Sequence, residues 1–110
     1  MKRFAQTVML KDDPELIAQY EAYHANQWPE VTEGVLRVGV LRIFSYRYGR
    51  QLFQFMETRD DFDMERDMPH YMDNPRAREW DELMRTFQDT VPGAPPGSTW
   101  VPMKEIFALE

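Results

Sequence analysis

Apolar and polar residues alternate through "RFAQTVML", which sets Phe4, Gln6, Val8 and Leu10 on one side of a strand. Both sides of that strand carry apolar residues, so cover is expected on both. The period then changes. "DDPEL" reads as a helix start: Asp13 caps, Pro14 takes the first helical position where its missing N–H costs nothing, and Glu15 complements the dipole. Leu16, Tyr20 and His24 follow at four-residue spacing, joined by Ile17, which predicts a helix from about Pro14 to Asn26 with one face inward. Pro29 ends it, because the residue before proline is pushed out of the α region. "EVTEGVLRVG" predicts a second helical piece that stops near Gly39.

"VLRIFSYRY" is β-branched and aromatic and is bounded by glycines, so it predicts a strand. "YGRQ" turns the chain and "LFQFME" returns as a hairpin partner. "TRDDFDMERDM" predicts a helix capped by Thr58 or Asp60. "MDNPRAREWDELMRTFQ" predicts another, with Trp80, Leu83, Met84 and Phe87 as its apolar stripe. "VPGAPPGS" is a loop by composition. "TWVPMKEIFAL" supplies a last strand, which Pro102 confines to an edge or interrupts.

The order strand, helix, strand, strand, helix, strand is the split βαβ, ferredoxin-like pattern, an α+β fold in one domain over residues 1–110. Its antiparallel sheet has helices on one face only. Apolar residues on both sides of 40–48 argue that a second copy covers the other face, making a homodimeric α/β barrel.

Composition narrows the chemistry. There is no cysteine, which excludes disulfides, thiolate nucleophiles and zinc–thiolate or iron–sulfur centres. A formal net charge of −6, with both signs mixed along the chain, leaves no basic stripe for nucleic acid. No run is apolar enough to span a membrane, and "MKRFAQTVMLKDDPEL" does not read as a signal peptide, so a soluble, cytoplasmic protein is expected. The partner least penalised by this charge is a neutral small molecule. Gly-rich phosphate loops, a GxSxG elbow and paired-carboxylate motifs are all missing. Acid/base chemistry on an uncharged substrate remains.

Tyr20 and His24 share one helical face and can reach a common ligand. Histidine titrates near pH ~6.5, and a phenol beside it can orient a hydroxyl or share a proton. Trp28 offers an apolar wall of the kind sugar rings stack on. The same residues also read as ordinary packing, with Tyr20 and Trp28 in the core and His24 reaching water. Met68, His70 and Met72 are soft donors of the type that hold Cu(I), but methionine is a common gap filler and no thiolate accompanies them. Asp60, Asp61, Asp63 and Glu65 are interleaved with Arg59 and Arg66, the pattern of a solvated charged face. No metal site is expected.

The strings "YEAYHANQWPE", "YRYGRQLFQFME", "EWDELM" and "WVPMKEIFAL" resemble the L-rhamnose mutarotase family. That resemblance implies a dimeric barrel of ferredoxin-like subunits that interconverts α and β anomers of a 6-deoxy-L-sugar, without metal or organic cofactor. By position His24 matches the family's proton donor, Tyr20 a substrate-binding tyrosine, and Trp80 the first of a sugar-binding tryptophan pair. Asp81 replaces the second tryptophan. Ile43 stands where a further substrate-binding tyrosine is expected, with Tyr46 near enough to substitute. "YEAYH" and "PGSTWVPMKEIFAL" are similar to relatives that handle L-fucose, so both sugars stay open. Two other readings fit the same topology: a cofactor-poor monooxygenase, and a non-catalytic sugar-binding dimer.

Overall fold

The computed structural model describes residues 1–110. Strand β1 (Lys2–Leu10) leads to helices α1 (Pro14–Ala25) and α2 (Pro29–Val38), then to the hairpin β2 (Val40–Tyr48) and β3 (Gln51–Thr58). A short helix α3 (Met64–Asp67) runs into a 3₁₀ segment (Met68–Asp73), followed by α4 (Pro75–Arg85), β4 (Gln88–Asp89) and β5 (Val101–Met103). No helix is long and apolar enough to cross a membrane.

The sheet is antiparallel in the order β2-β3-β1-β4, and β5 continues beyond β4 on the same edge of β1. This is the ferredoxin-like arrangement. Register fixes which residues share a face. Phe4↔Met56, Gln6↔Gln54 and Val8↔Leu52 point one way, toward the helices; Ala5↔Phe55 and Thr7↔Phe53 point the other. Carried into β2, Ile43↔Met56 and Ser45↔Gln54 join the helix side, while Phe44↔Phe55 and Tyr46↔Phe53 join the far side.

The local signals explain the helix ends. The Asp13 carboxylate accepts from the Glu15 N–H at 2.9 Å, and Asn74 does the same for Arg76 at 2.8 Å. Trp28, extended before Pro29, caps α2. Gly39 ends α2 at φ 118°, a left-handed conformation that a side chain would strain.

Two expectations change. The helix over residues 58–68 shrinks to Met64–Asp67, capped by Asp63 rather than Thr58 or Asp60. Phe62 is the reason: it is fully buried against Phe4, Val38, Val40 and Met56, and the chain turns inward to seat it before a helix can start. The last strand covers only Val101–Met103, and the two-residue β4 ahead of it had no signal of its own. Pro102 sits on the outer edge, where a missing N–H breaks no ladder.

The main core lies between the sheet and the helices: Val8, Leu10 and Leu52 from the sheet meet Tyr20, Val31, Ala77, Trp80, Met84 and Phe87. The far side of the sheet is bare, with Phe44 stacked on Phe55 and Tyr46 tilted on Phe53.

Helix α2 approaches the 3₁₀ segment through Gly34, where an added Cβ would lie 2.7 Å from the backbone oxygen of Tyr71. Backbone cannot yield as a side-chain end can. Gly34→Ala is therefore expected to destabilise the protein by about 1–3 kcal/mol through overpacking, seen as a lower midpoint in urea unfolding. An unchanged midpoint would mean that α2 is free to move away.

Candidate active site

The helix side of the sheet does not close completely. A cavity of about 330 Å³ remains among α1, α2, the 64–72 segment, α4 and the Thr99–Trp100 loop. Its floor is the paired side chains Gln6 and Gln54, with the Gln6 amide donating to Gln54 Oε1 at 2.6 Å. Tyr20 and His24 face it from α1, Trp80, Asp81, Met84 and Arg85 from α4, and Ile43 from β2.

His24 lies one turn after Tyr20, and the two rings stack with centroids 4.4 Å apart. The other flank of the imidazole meets the edge of Trp80 at 5.4 Å. By area the residue is exposed, while its ring packs against both Tyr20 and Trp80. Nδ1 lies 3.0 Å from the Tyr20 carbonyl oxygen. A carbonyl only accepts, so Nδ1 carries the hydrogen and the neutral ring keeps its lone pair on Nε2. Burial of the ring pushes its pKa below 6.5, against a smaller upward pull from that same carbonyl. At neutral pH the group is thus an uncharged base with a fixed tautomer.

Tyr20 is only 6% exposed. Burial raises its pKa, and the Gln88 side chain beside it pulls it partway back, so the phenol keeps its proton. Trp80 is 4% exposed and packs edge-on against Tyr23 and Trp28 as well as His24.

Where the 3₁₀ segment meets α4 the cavity is lined by a chain of polar groups. The Tyr71 hydroxyl donates to Asp81 Oδ1 at 2.7 Å, and Arg85 Nε donates to Asp81 Oδ2 at 2.7 Å. Burial, and then the hydrogen bond to the Asp81 carboxylate, drive the Tyr71 pKa far up; the same carboxylate raises that of Arg85.

The cavity thus gathers Tyr20, His24, Ile43, Trp80 and Asp81 from three separate stretches of chain. Two candidates lie elsewhere. Tyr46 is on the far side of the sheet and 62% exposed: the strand alternates, so if Ile43 faces the cavity, Tyr46 cannot. Trp28 lies behind Trp80 with Arg76 over its ring at 3.9 Å, which makes it support for a cavity wall rather than part of one. Met68 and Met72 line the cavity, while His70 turns to Asp73 at 3.1 Å. Tyr71, Arg85, Gln6, Gln54 and Gln88 were missed. For Tyr71 a signal existed, an aromatic amid "MPHYM", but its partner ten residues on is set by tertiary contact and not by helical spacing.

A family model described as L-rhamnose mutarotase matches residues 3–109. An L-fucose mutarotase of Xanthomonas campestris is 35% identical over 111 residues, covering 99% of this chain and 89% of that protein. A UPF0734 protein of Dictyostelium discoideum is 38% identical over 113 residues, covering 99% and 90%. Among solved structures, L-rhamnose mutarotase from Formosa agariphila superposes over the whole of both chains with a TM-score of 0.72 at 20% identity. Tetracenomycin F2 cyclase from Streptomyces glaucescens, a type II polyketide cyclase, does so with 0.68 at 19%. The last two share the fold.

An NMR titration of the imidazole checks the electrostatics. His24 is expected to titrate with a midpoint below 6.5 and to carry its hydrogen on Nδ1 at neutral pH. Between that midpoint and about 6.5 the unfolded chain binds the extra proton, so stability declines on acidification through this window and is unaffected by His24 above it. A midpoint above 6.5 would contradict a partly desolvated, neutral ring.

Proposed function

The chain belongs to the L-rhamnose mutarotase family, and we propose that it interconverts the α and β anomers of a 6-deoxy-L-hexose, L-rhamnose or L-fucose, in the cavity beside His24. The observation that carries this is an imidazole with Nδ1–H tied to a carbonyl, its other nitrogen left for a ligand in a cavity of sugar size. The 35% identical relative, named for L-fucose, is why both sugars stand.

Mutarotation opens a hemiacetal and closes it again. Nε2 of His24 takes the proton of the anomeric hydroxyl as the bond from C1 to the ring oxygen breaks, and the imidazolium so formed delivers that proton to the ring oxygen. The Tyr20 phenol, stacked on the imidazole and kept protonated by burial, donates a hydrogen bond at that locus. Rotation about C1–C2 exposes the other aldehyde face, and the reverse transfers close the ring on it. The protons and both side chains end as they began. The cycle leaves the net charge of the cavity unchanged.

Trp80 and Ile43 give the ring face and the C6 methyl their apolar surface. Trp80 is a poor probe of that role. It is buried in the core, so its removal to alanine costs about 3–5 kcal/mol of stability as well.

A homodimer belongs to the same reading. Phe44, Tyr46, Phe53 and Phe55 form a continuous apolar patch on the bare side of the sheet, of the kind a monomer rarely leaves to water. Two sheets facing each other would cover it. Sedimentation is expected to give twice the 13.2 kDa chain mass, and Phe55→Glu to shift the protein toward the monomer. A wild-type monomer at micromolar concentration would rule the dimer out.

Saturation transfer between anomeric protons, read by NMR, tests the activity. His24→Ala is expected to lose about 10²–10⁴-fold in exchange rate while remaining folded, and Tyr20→Phe to lose less. If wild-type protein accelerates exchange of neither sugar, this function is wrong.

A further inference from the structure

The two walls of the cavity differ in chemistry. On the α1 wall stand His24 and Tyr20, which act at C1 and the ring oxygen. A second wall, where the 3₁₀ segment meets α4, holds an ionic chain that anomer exchange does not require: Tyr71 to Asp81 to Arg85. Successive residues on a helix project about 100° apart. Trp80 accordingly turns to His24 and Trp28, and Asp81 turns to Tyr71.

The Asp81 carboxylate is pinned at both oxygens and cannot rotate. Each oxygen has a lone pair to spare, and Arg85 has four N–H groups beyond the one it gives to Asp81. Acceptor and donor therefore stand side by side in fixed positions, an arrangement that suits one sugar hydroxyl that donates and accepts at once. In a pyranose, C4 lies directly across the ring from C1. A sugar with C1 at His24 and its ring directed toward Asp81 presents its C4 hydroxyl there.

Resting on the mutarotase reading above, we propose that Tyr71, Asp81 and Arg85 read the configuration at C4 of the 6-deoxy-hexopyranose, with Asp81 and Arg85 in contact with that hydroxyl. Tyr71 is a positioning residue: it fixes the carboxylate and does not touch the sugar. A polar site held in fixed positions disfavours a misplaced hydroxyl, whose hydrogen bonds it leaves unmade, whereas apolar walls discriminate weakly. Specificity then resides in this chain of three, and rate in His24.

Three sugars separate the positions. L-Fucose and 6-deoxy-L-glucose differ only at C4; 6-deoxy-L-glucose and L-rhamnose differ only at C2. In anomeric-exchange kinetics, wild-type protein is expected to separate the first pair by at least about tenfold in kcat/KM, and by more than the second pair. Asp81→Asn, Tyr71→Phe and Arg85→Gln should bring the C4 ratio toward one, mainly through a higher KM for the favoured epimer. The C2 ratio and the acid limb of the pH profile, which belongs to His24, should stay in place. Circular dichroism and thermal melts confirm that each variant is folded, and Arg85→Gln, at an exposed residue, keeps the test available if a partly buried variant fails.

The C4 assignment is overturned if wild type prefers neither C4 epimer, if the C2 pair is the better separated, or if the variants slow every sugar alike. Exchange of all three sugars at similar rates leaves the mutarotase reading standing and removes this one. Exchange of none removes both.

Discussion

The site depends on one hydrogen bond, from His24 Nδ1 to the Tyr20 carbonyl one turn earlier. It fixes the tautomer, holds the ring against the phenol, and leaves Nε2 as the group the cavity can use. That carbonyl also stands opposite the His24 N–H within α1, and its second lone pair is free to take the ring donor. The Trp-Pro break does two things: it ends α1 beside the histidine, and it sends Trp28 to brace Trp80 from behind.

The second constraint is topological. A split βαβ sheet has helices on one side only, and this chain uses the two sides differently. On the helix side the layers are propped apart by Trp80 and the Gln6–Gln54 pair, so a cavity survives in the core of a small domain. On the other side aromatic residues pair across strands and remain uncovered. The same fold in a polyketide cyclase and a mutarotase shows that the architecture does not fix the reaction. Chemistry enters through the few side chains that reach inward.

Much of this was legible in the sequence wherever short-range rules govern. The caps at Asp13 and Asn74, the break at Pro29 and the stripe through Trp80 and Met84 are local, and the structure contains them. Tyr20 and His24 could be paired because four-residue spacing on a helix is itself a contact. What strand alternation could decide was available too: Ile43 and Tyr46 differ by an odd number of residues and cannot face the same way. What depends on distant contacts was not legible. Phe62 shortens a helix by burying itself, β4 exists because β1 has a free edge at Met9 and Leu10, and Tyr71 finds Asp81 only once α2 has pressed the 3₁₀ segment against α4.

The central claim is that Nε2 of His24 meets the reacting end of the sugar. A crystal structure with L-fucose or L-rhamnose bound tests it most directly. The anomeric or ring oxygen should lie within about 3.2 Å of Nε2, with Nδ1 still on the Tyr20 carbonyl. A sugar seated in the cavity with its anomeric carbon turned away from the imidazole would contradict the account.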